Sequence, residues 1–342
     1  MKKFLAIILI IIFSVMLGKI IFSRHEPTEK KITFLAMDTV IILTACGEES
    51  DAVLTEAKSR VSELDDMMDA HREGSDLWKL KNAAGREKVA VHREIFELLE
   101  LAKKYNGLTE GKFDASAGAL AQLWKRGQES GRVPTAEEIA AACALKGFDK
   151  IILDRADLSA YLTEAGLSLD FGGLAKGYAL DEIRRIYLAH GGTTGLINVG
   201  TSSVCACGSR DYRVGIRKPN RDGANEIIGV VTLNDAFLST SGDYERGFEA
   251  GGVWYHHLID PLTGFPADNG LSSVTVIIPA EVEEAGVLTD LLSTAAFILG
   301  REKGEALINK IPGAKAIFVG KDGEITDRYN LLNDDRVKTA VP

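Results

Sequence analysis

The chain predicts an α+β fold, because short strands and amphipathic helices mix along it without the strict alternation of a doubly wound protein. Three observations carry this. Residues 32–46 are rich in β-branched and apolar side chains, which is strand patterning. Residues 51–70 place Val53, Leu54, Ala57, Val61, Leu64 and Met68 at helical spacing. Residues 195–238 break into several strands separated by Gly, Asn and Asp turns.

The amino terminus stands apart from that pattern. Lys2 and Lys3 precede an apolar run over residues 4–17, which resumes at 20–22. From Phe4 to Phe22 is 19 residues, close to the length that spans a bilayer as a helix. No small-x-small cleavage site follows, and no cysteine that could carry a lipid. Residues 1–23 therefore read as a signal anchor rather than a cleaved signal peptide, with the two lysines in the cytoplasm and the rest outside. Residues 24–31 are polar and read as a linker, and residues 32–342 as the globular part.

Along that part, residues 32–46 give one or two strands and residues 51–70 a helix. Residues 93–105 form a second amphipathic helix, closed by Asn106-Gly107. Pro134-Thr135 with Glu137 and Glu138 opens a short helix toward Leu145. Short strands are expected at 150–153, 160–163 and 167–169, then a glycine-rich turn into a helix over 174–190. After the strands of 195–238 come strands at 254–259 and 273–279, helices at 284–298 and 301–310, and a closing strand pair at 314–319 and 324–327.

Apolar residues are 46% of the 342 and charged residues 26%, enough for a sizeable core. A net charge of −9 argues against a phosphate-backbone partner, so no nucleic acid is expected. Four cysteines are too few for a disulfide scaffold. Cys205 and Cys207 share one face of a strand and read as buried thiols, with no further zinc ligands at suitable spacing.

Four motifs could carry chemistry. In "LDFGGLAKGYALDEI", residues 169–183, a strand ends in Asp170, passes two glycines and enters a helix carrying Lys176. Backbone approach, a helix N-terminus and a lysine suit a phosphate or pyrophosphate, though an ordinary strand-to-helix turn fits equally. In "LTDLLSTAAFILG", residues 288–300, Asp290 and Thr294 share a face of an apolar helix. A metal would offset the burial of that carboxylate, and oxygen ligands suit magnesium; a salt bridge or cap would serve as well. In "WYHHLIDPLTGFP", residues 254–266, His256 and His257 point to opposite faces of a strand, and an Asp-Pro turn follows. In "GKFDASAGALAQLW", residues 111–124, small residues after Asp114 admit a ligand or tight helix packing.

Together with "AMDT" at residues 36–39 and "STSGDYER" at 239–246, these motifs in this order resemble the ApbE family of FAD:protein FMN transferases. The likeness runs from about residue 32 to the tail. It implies a T-fold-like architecture of two related subdomains with FAD in a cleft between them. It implies Met37, His71, Phe113, Asp114, Asp170, Lys176 and Ile259 as FAD contacts, and Asp290, Thr294 and the Gly173 carbonyl as magnesium ligands, with Ser293 beside them. Its HxIDP motif makes His257 the candidate base. The implied reaction moves FMN from FAD to a Thr or Ser hydroxyl of a flavoprotein, such as an Rnf- or Nqr-type subunit or a small FMN-binding domain, and releases AMP. FAD hydrolysis to FMN and AMP and non-catalytic FAD binding stand as alternatives. The expected location is the cell membrane, with the globular part extracytoplasmic. The chain departs from the family in three places. His71 falls where a tyrosine is common, Asp38 replaces a glycine, and Asn198-Val199-Gly200-Thr201 replaces Asn-x-Gly-Gly.

Overall fold

The computed structural model describes residues 29–221 and 226–332. The apolar run of residues 1–23 and the last ten residues lie outside the described residues. Among the described residues no helix is long and apolar enough to cross a membrane.

In chain order the elements are β1 (Lys30–Ala36), β2 (Thr39–Ala45), α1 (Ser50–Met68), α2 (Asp76–Ala83), β3 (Val89–Ala90), α3 (Arg93–Leu108), α4 (Gly118–Ser130) and α5 (Ala136–Ala144). There follow β4 (Ile151–Asp154), β5 (Ser159–Leu162), α6 (Ala175–Ala189), β6 (Gly195–Val199), β7 (Ser203–Cys207), β8 (Tyr212–Arg217), β9 (Ile227–Leu233) and β10 (Ala236–Gly242). The last are β11 (Gly247–Ala250), β12 (Val253–His256), β13 (Leu271–Pro279), α7 (Ala285–Leu299), α8 (Arg301–Ile308), β14 (Lys315–Gly320) and β15 (Ile325–Thr326). The mixed α and β content agrees with the sequence expectation.

An eight-stranded sheet in the order β1-β2-β6-β7-β10-β13-β14-β15 organises the molecule, and its neighbouring strands are antiparallel. One face carries α1, α6 and α7 over the main hydrophobic core. The other face, at the centre, is covered by the β8–β9 ribbon, which packs Tyr212, Ile216, Val231 and Leu233 against Val204, Ala206, Leu238 and Ile317. Burial on both faces explains why β7 has no exposed residue. Cys205 and Cys207 alternate toward the helices, Val204 and Ala206 toward the ribbon. Burial pushes the Cys207 thiol up to about 11 and the Cys205 thiol well above its ordinary value.

Local chemistry sets the element ends. Met37 and Asp38, at φ 53° and 55°, form the two-residue turn of the β1–β2 hairpin, the left-handed pair that such hairpins require. Aspartate tolerates that region, so Asp38 fits the turn. Thr135 and Glu138 close a capping box on α5, as the sequence suggests. Three expectations change. The linker ends early, because Lys30 and Lys31 already pair with Ala45 and Thr44. Helix α3 runs through Gly107 to Leu108. Residues 167–169 are buried, but Ser168 makes a single bridge to Ala117 rather than a strand.

Helices α6 and α7 cap each other. Neither has a side-chain cap from its own N-cap residue, Leu174 or Glu284. Asp181 of α6 instead accepts from Gly286 N–H and Val287 N–H, at 2.9 and 2.8 Å, in the first turn of α7. Asp290 of α7 accepts from Gly177 N–H, at 3.2 Å, in the first turn of α6. The two helices touch at glycines: a Cβ on Gly177 would lie 2.3 Å from the Gly286 carbonyl oxygen.

Burial raises the Asp181 carboxyl from 3.8 to about 6, against the lowering effect of its two backbone donors. The folded protein therefore holds this proton more tightly than the unfolded chain. The stability it contributes is full below pH 3.8 and is lost as the pH rises through about 6. Denaturant unfolding at a series of pH values should show the wild type losing stability across that window relative to Asp181→Asn. A constant difference between the two would refute the assignment. Asp181→Ala, which removes both acceptors, should cost about 1–2 kcal/mol at low pH and less as the pH rises through about 6.

Candidate functional site

Beside the α6–α7 contact opens a cavity of about 610 Å³, within the ~300–1,000 Å³ usual for small-molecule sites. Met37, His71, Phe113, Asp114, Asp170, Gly173, Lys176, His257, Ile259, Asp290 and Thr294 all line it. Segments far apart in sequence thus meet on one surface.

The turn into α6 forms one wall. Asp170 Oδ1 accepts from Gly172 N–H at 2.7 Å, which bends the chain out of the core and leaves the carboxylate exposed to the cavity. Lys176, in the first turn, donates from Nζ to the Gly172 carbonyl at 3.2 Å and to both Asp290 oxygens at 3.2 and 3.4 Å. Asp290 is only 3% exposed. With Lys176 and Gly177 N–H as partners, its burial is satisfied by the protein itself, so burial alone does not call for a metal.

Thr294 lies one turn after Asp290, and Gly173 abuts it, because a Cβ on Gly173 would sit 3.2 Å from Thr294 Oγ1 and 3.1 Å from the Phe113 ring. A carboxylate, a hydroxyl and a nearby backbone carbonyl form an oxygen-only donor set, which fits magnesium. Among the described residues no cluster of three His, Cys, Asp or Glu could hold a metal. One carboxylate is the usual protein share for magnesium when phosphate oxygens of a ligand complete the shell.

The loop before α4 supplies the opposite wall. Phe113 is buried, its N–H bonded to Thr109 Oγ1 at 3.0 Å and its carbonyl to Asn106 Nδ2 at 2.9 Å. Burial raises the Asp114 carboxyl, and the Ser116 hydroxyl and N–H oppose that shift. Met37 is held at the hairpin tip by its N–H to Asp65 Oδ1 at 3.0 Å, and His71 stands exposed at the rim.

The two histidines part as strand geometry requires. His256 is buried: Nε2 donates to the Ala267 carbonyl at 3.0 Å and Nδ1 accepts from Leu258 N–H at 3.3 Å. Burial takes its pKa down to about 4, so it is a neutral structural group. His257 faces the cavity. Its Nδ1 meets the Arg246 carbonyl at 3.1 Å; a carbonyl only accepts, so Nδ1 carries the proton and Nε2 keeps a free lone pair. Enclosure by the cavity walls draws its pKa down to about 4, with the neighbouring His256, Arg246 and Lys176 adding to the shift and the hydrogen bond to the Arg246 carbonyl opposing it.

Next to His257, the Asp-Pro turn is held as its residues imply. Asp260 accepts from Leu262 N–H at 2.9 Å, its carbonyl accepts from Gly264 N–H at 2.8 Å, and Lys112 ion-pairs with its carboxylate. Local sequence gave no individual role to Ser241, Arg246 or Lys112. Ser241 and Lys112 act across the fold, on Thr294 and Asp260, while the Arg246 carbonyl meets His257 across the base of the β11–β12 hairpin.

The family model described as the ApbE family matches residues 37–318. The chain belongs to the ApbE family. An FAD:protein FMN transferase of Klebsiella pneumoniae is 34% identical over 284 residues, covering 83% of this chain and 87% of that protein. One of Treponema pallidum is 33% identical over 310 residues, covering 85% and 83%. Among solved structures, the ApbE protein of Thermotoga maritima superposes with a TM-score of 0.80 at 28% identity, over 90% of this chain and all of that one. The Pseudomonas stutzeri flavinyl transferase ApbE, in its apo form, gives 0.75 at 28% identity over 92% and 99%. The ApbE motifs of the sequence are the segments that line the cavity: the α6 turn, the loop before α4, the β12 strand end and α7.

Proposed function

We propose that this protein is a magnesium-dependent FAD:protein FMN transferase. The observation that carries the reading is one cavity joining a pyrophosphate-type wall, Lys176 with the glycine turn, to His257 with Nε2 free. FAD lies across the cavity with Met37, His71, Phe113, Asp114, Asp170 and Ile259 around it. Two related subdomains flank the cleft in which it lies. Lys176 binds the pyrophosphate. Asp290, Thr294 and the Gly173 carbonyl hold the magnesium. When bound, the ion neutralises charge on the phosphoanhydride oxygens and on the departing AMP phosphate.

The acceptor brings a Ser or Thr hydroxyl. His257 Nε2 takes its proton as the oxygen bonds to the FMN phosphorus, and the bond from that phosphorus to the AMP phosphate oxygen breaks. FMN stays on the acceptor and AMP leaves. The positive start and apolar run of residues 1–23 support a membrane-anchored, extracytoplasmic enzyme serving redox proteins there.

The test incubates the protein with FAD, magnesium and a candidate FMN-binding domain. Flavin fluorescence should stay with the acceptor band after denaturation and disappear when EDTA is added first. Free FMN and AMP without a labelled band would make the protein a hydrolase instead. Intact FAD would overturn both enzymatic readings.

A further inference from the structure

In the cavity wall, three hydroxyls form a chain: Ser241 and Thr294 line the cavity and Ser293 lies behind them. Ser293 Oγ lies 2.9 Å from the backbone carbonyl of Asp290. Ser241 Oγ, on β10, lies 2.9 Å from Ser293 Oγ and 3.1 Å from Thr294 Oγ1. Ser293 is fully buried and Ser241 is 8% exposed.

Each hydroxyl has a single proton, and a carbonyl can only accept. All three contacts are made at once in one arrangement of protons. Ser293 donates to the Asp290 carbonyl. Ser241 must then donate to Ser293, whose proton is spent. Thr294 must donate to Ser241, whose proton is spent in turn. The Thr294 hydroxyl therefore points its proton into the protein and keeps its free lone pair for the cavity. An oxygen so oriented attracts a cation and cannot donate to a phosphate.

We infer that Ser241 is a positioning residue that fixes the polarity of Thr294 and so makes that hydroxyl a metal ligand. This rests on the magnesium assignment of the proposed function. Ser241 also lines the cavity, but its proton is committed to Ser293, so it acts on the metal site through Thr294. The hydroxyl chain also ties the metal site to the sheet, since β10 is a central strand and α7 packs on it.

The test counts free Mn²⁺ by electron paramagnetic resonance in protein saturated with FAD and lacking acceptor, with FAD integrity followed by its quenched fluorescence. Ser241→Ala should weaken Mn²⁺ binding by about 10–100-fold, the usual effect of removing an outer-shell partner. In a Thr294→Val background the same substitution should add nothing, because the group it orients is gone. Ser241→Thr should recover tight binding. Equal Mn²⁺ affinity in Ser241→Ala and wild type would overturn the inference while leaving the metal site standing. An undiminished effect in the Thr294→Val background would reduce Ser241 to general packing. If wild-type protein with FAD binds no Mn²⁺, the magnesium assignment falls and this inference with it.

Discussion

Asp290→Asn should keep its fold and its affinity for FAD, yet transfer FMN about 10²–10³-fold more slowly than wild type. The amide keeps an oxygen of the same shape, so Gly177 N–H still has an acceptor and the first turn of α6 stays capped. What is lost is the negative charge, which in the proposed site attracts magnesium and balances Lys176. Two readouts separate a ligand from a structural group. The wild-type rate should climb with added magnesium and collapse with EDTA, whereas the residual rate of the variant should respond weakly to either. Circular dichroism and FAD binding should change little. A variant that transfers at the wild-type rate, with the wild-type response to magnesium, would remove Asp290 from the metal site.

For His257→Asn the expected loss is about 10²–10⁴-fold in transfer rate, the range for removing a general base, with FAD affinity almost unchanged. Asparagine can still donate to the Arg246 carbonyl, so the strand end stays in place, but it offers no base toward the acceptor hydroxyl. The wild-type pH profile adds a check. Enclosure lowers the imidazole pKa from 6.5 to about 4, so the neutral form needed to accept a proton persists as the pH falls below 6.5. Transfer should stay flat from pH 8 down past 6.5 and lose rate only on more acidic approach to the depressed pKa. The variant should lack that acid limb. A large drop in FAD affinity in His257→Asn would mark the residue as a ligand contact rather than a base.

Much of this was readable from the residues, and the exceptions share a cause. The helices of residues 50–68 and 175–189 announce themselves because a buried face repeats every turn, and that of residues 285–299 because it is apolar almost throughout. Helix α2 did not, since eight residues leave room for barely two turns of that pattern; its start is fixed by Ser75 accepting from Trp78 N–H. Helix α4 begins at Gly118 without any capping side chain, and its first residues look like a ligand loop as much as a helix. Residues 167–169 carried strand composition because they are buried, not because they pair. At the site, Asp290 and Thr294 were visible as polar intruders on an apolar helix. Their partners were not. Lys176 is 114 residues away from Asp290, and Ser241 is 53 from Thr294, so only the closed fold joins them.

The mutual capping of α6 and α7 changes how Asp290 should be read in distant kin. Its carboxylate holds the first turn of a neighbouring helix and neutralises a lysine before any ion arrives. A descendant that abandoned catalysis would still be selected to keep an acceptor there, aspartate or asparagine, to hold its architecture. His257 has a weaker claim on the scaffold, one bond from an exposed ring to a backbone carbonyl. In such a lineage the histidine would drift first, and an intact aspartate would be a relic of the fold rather than a sign of a working enzyme.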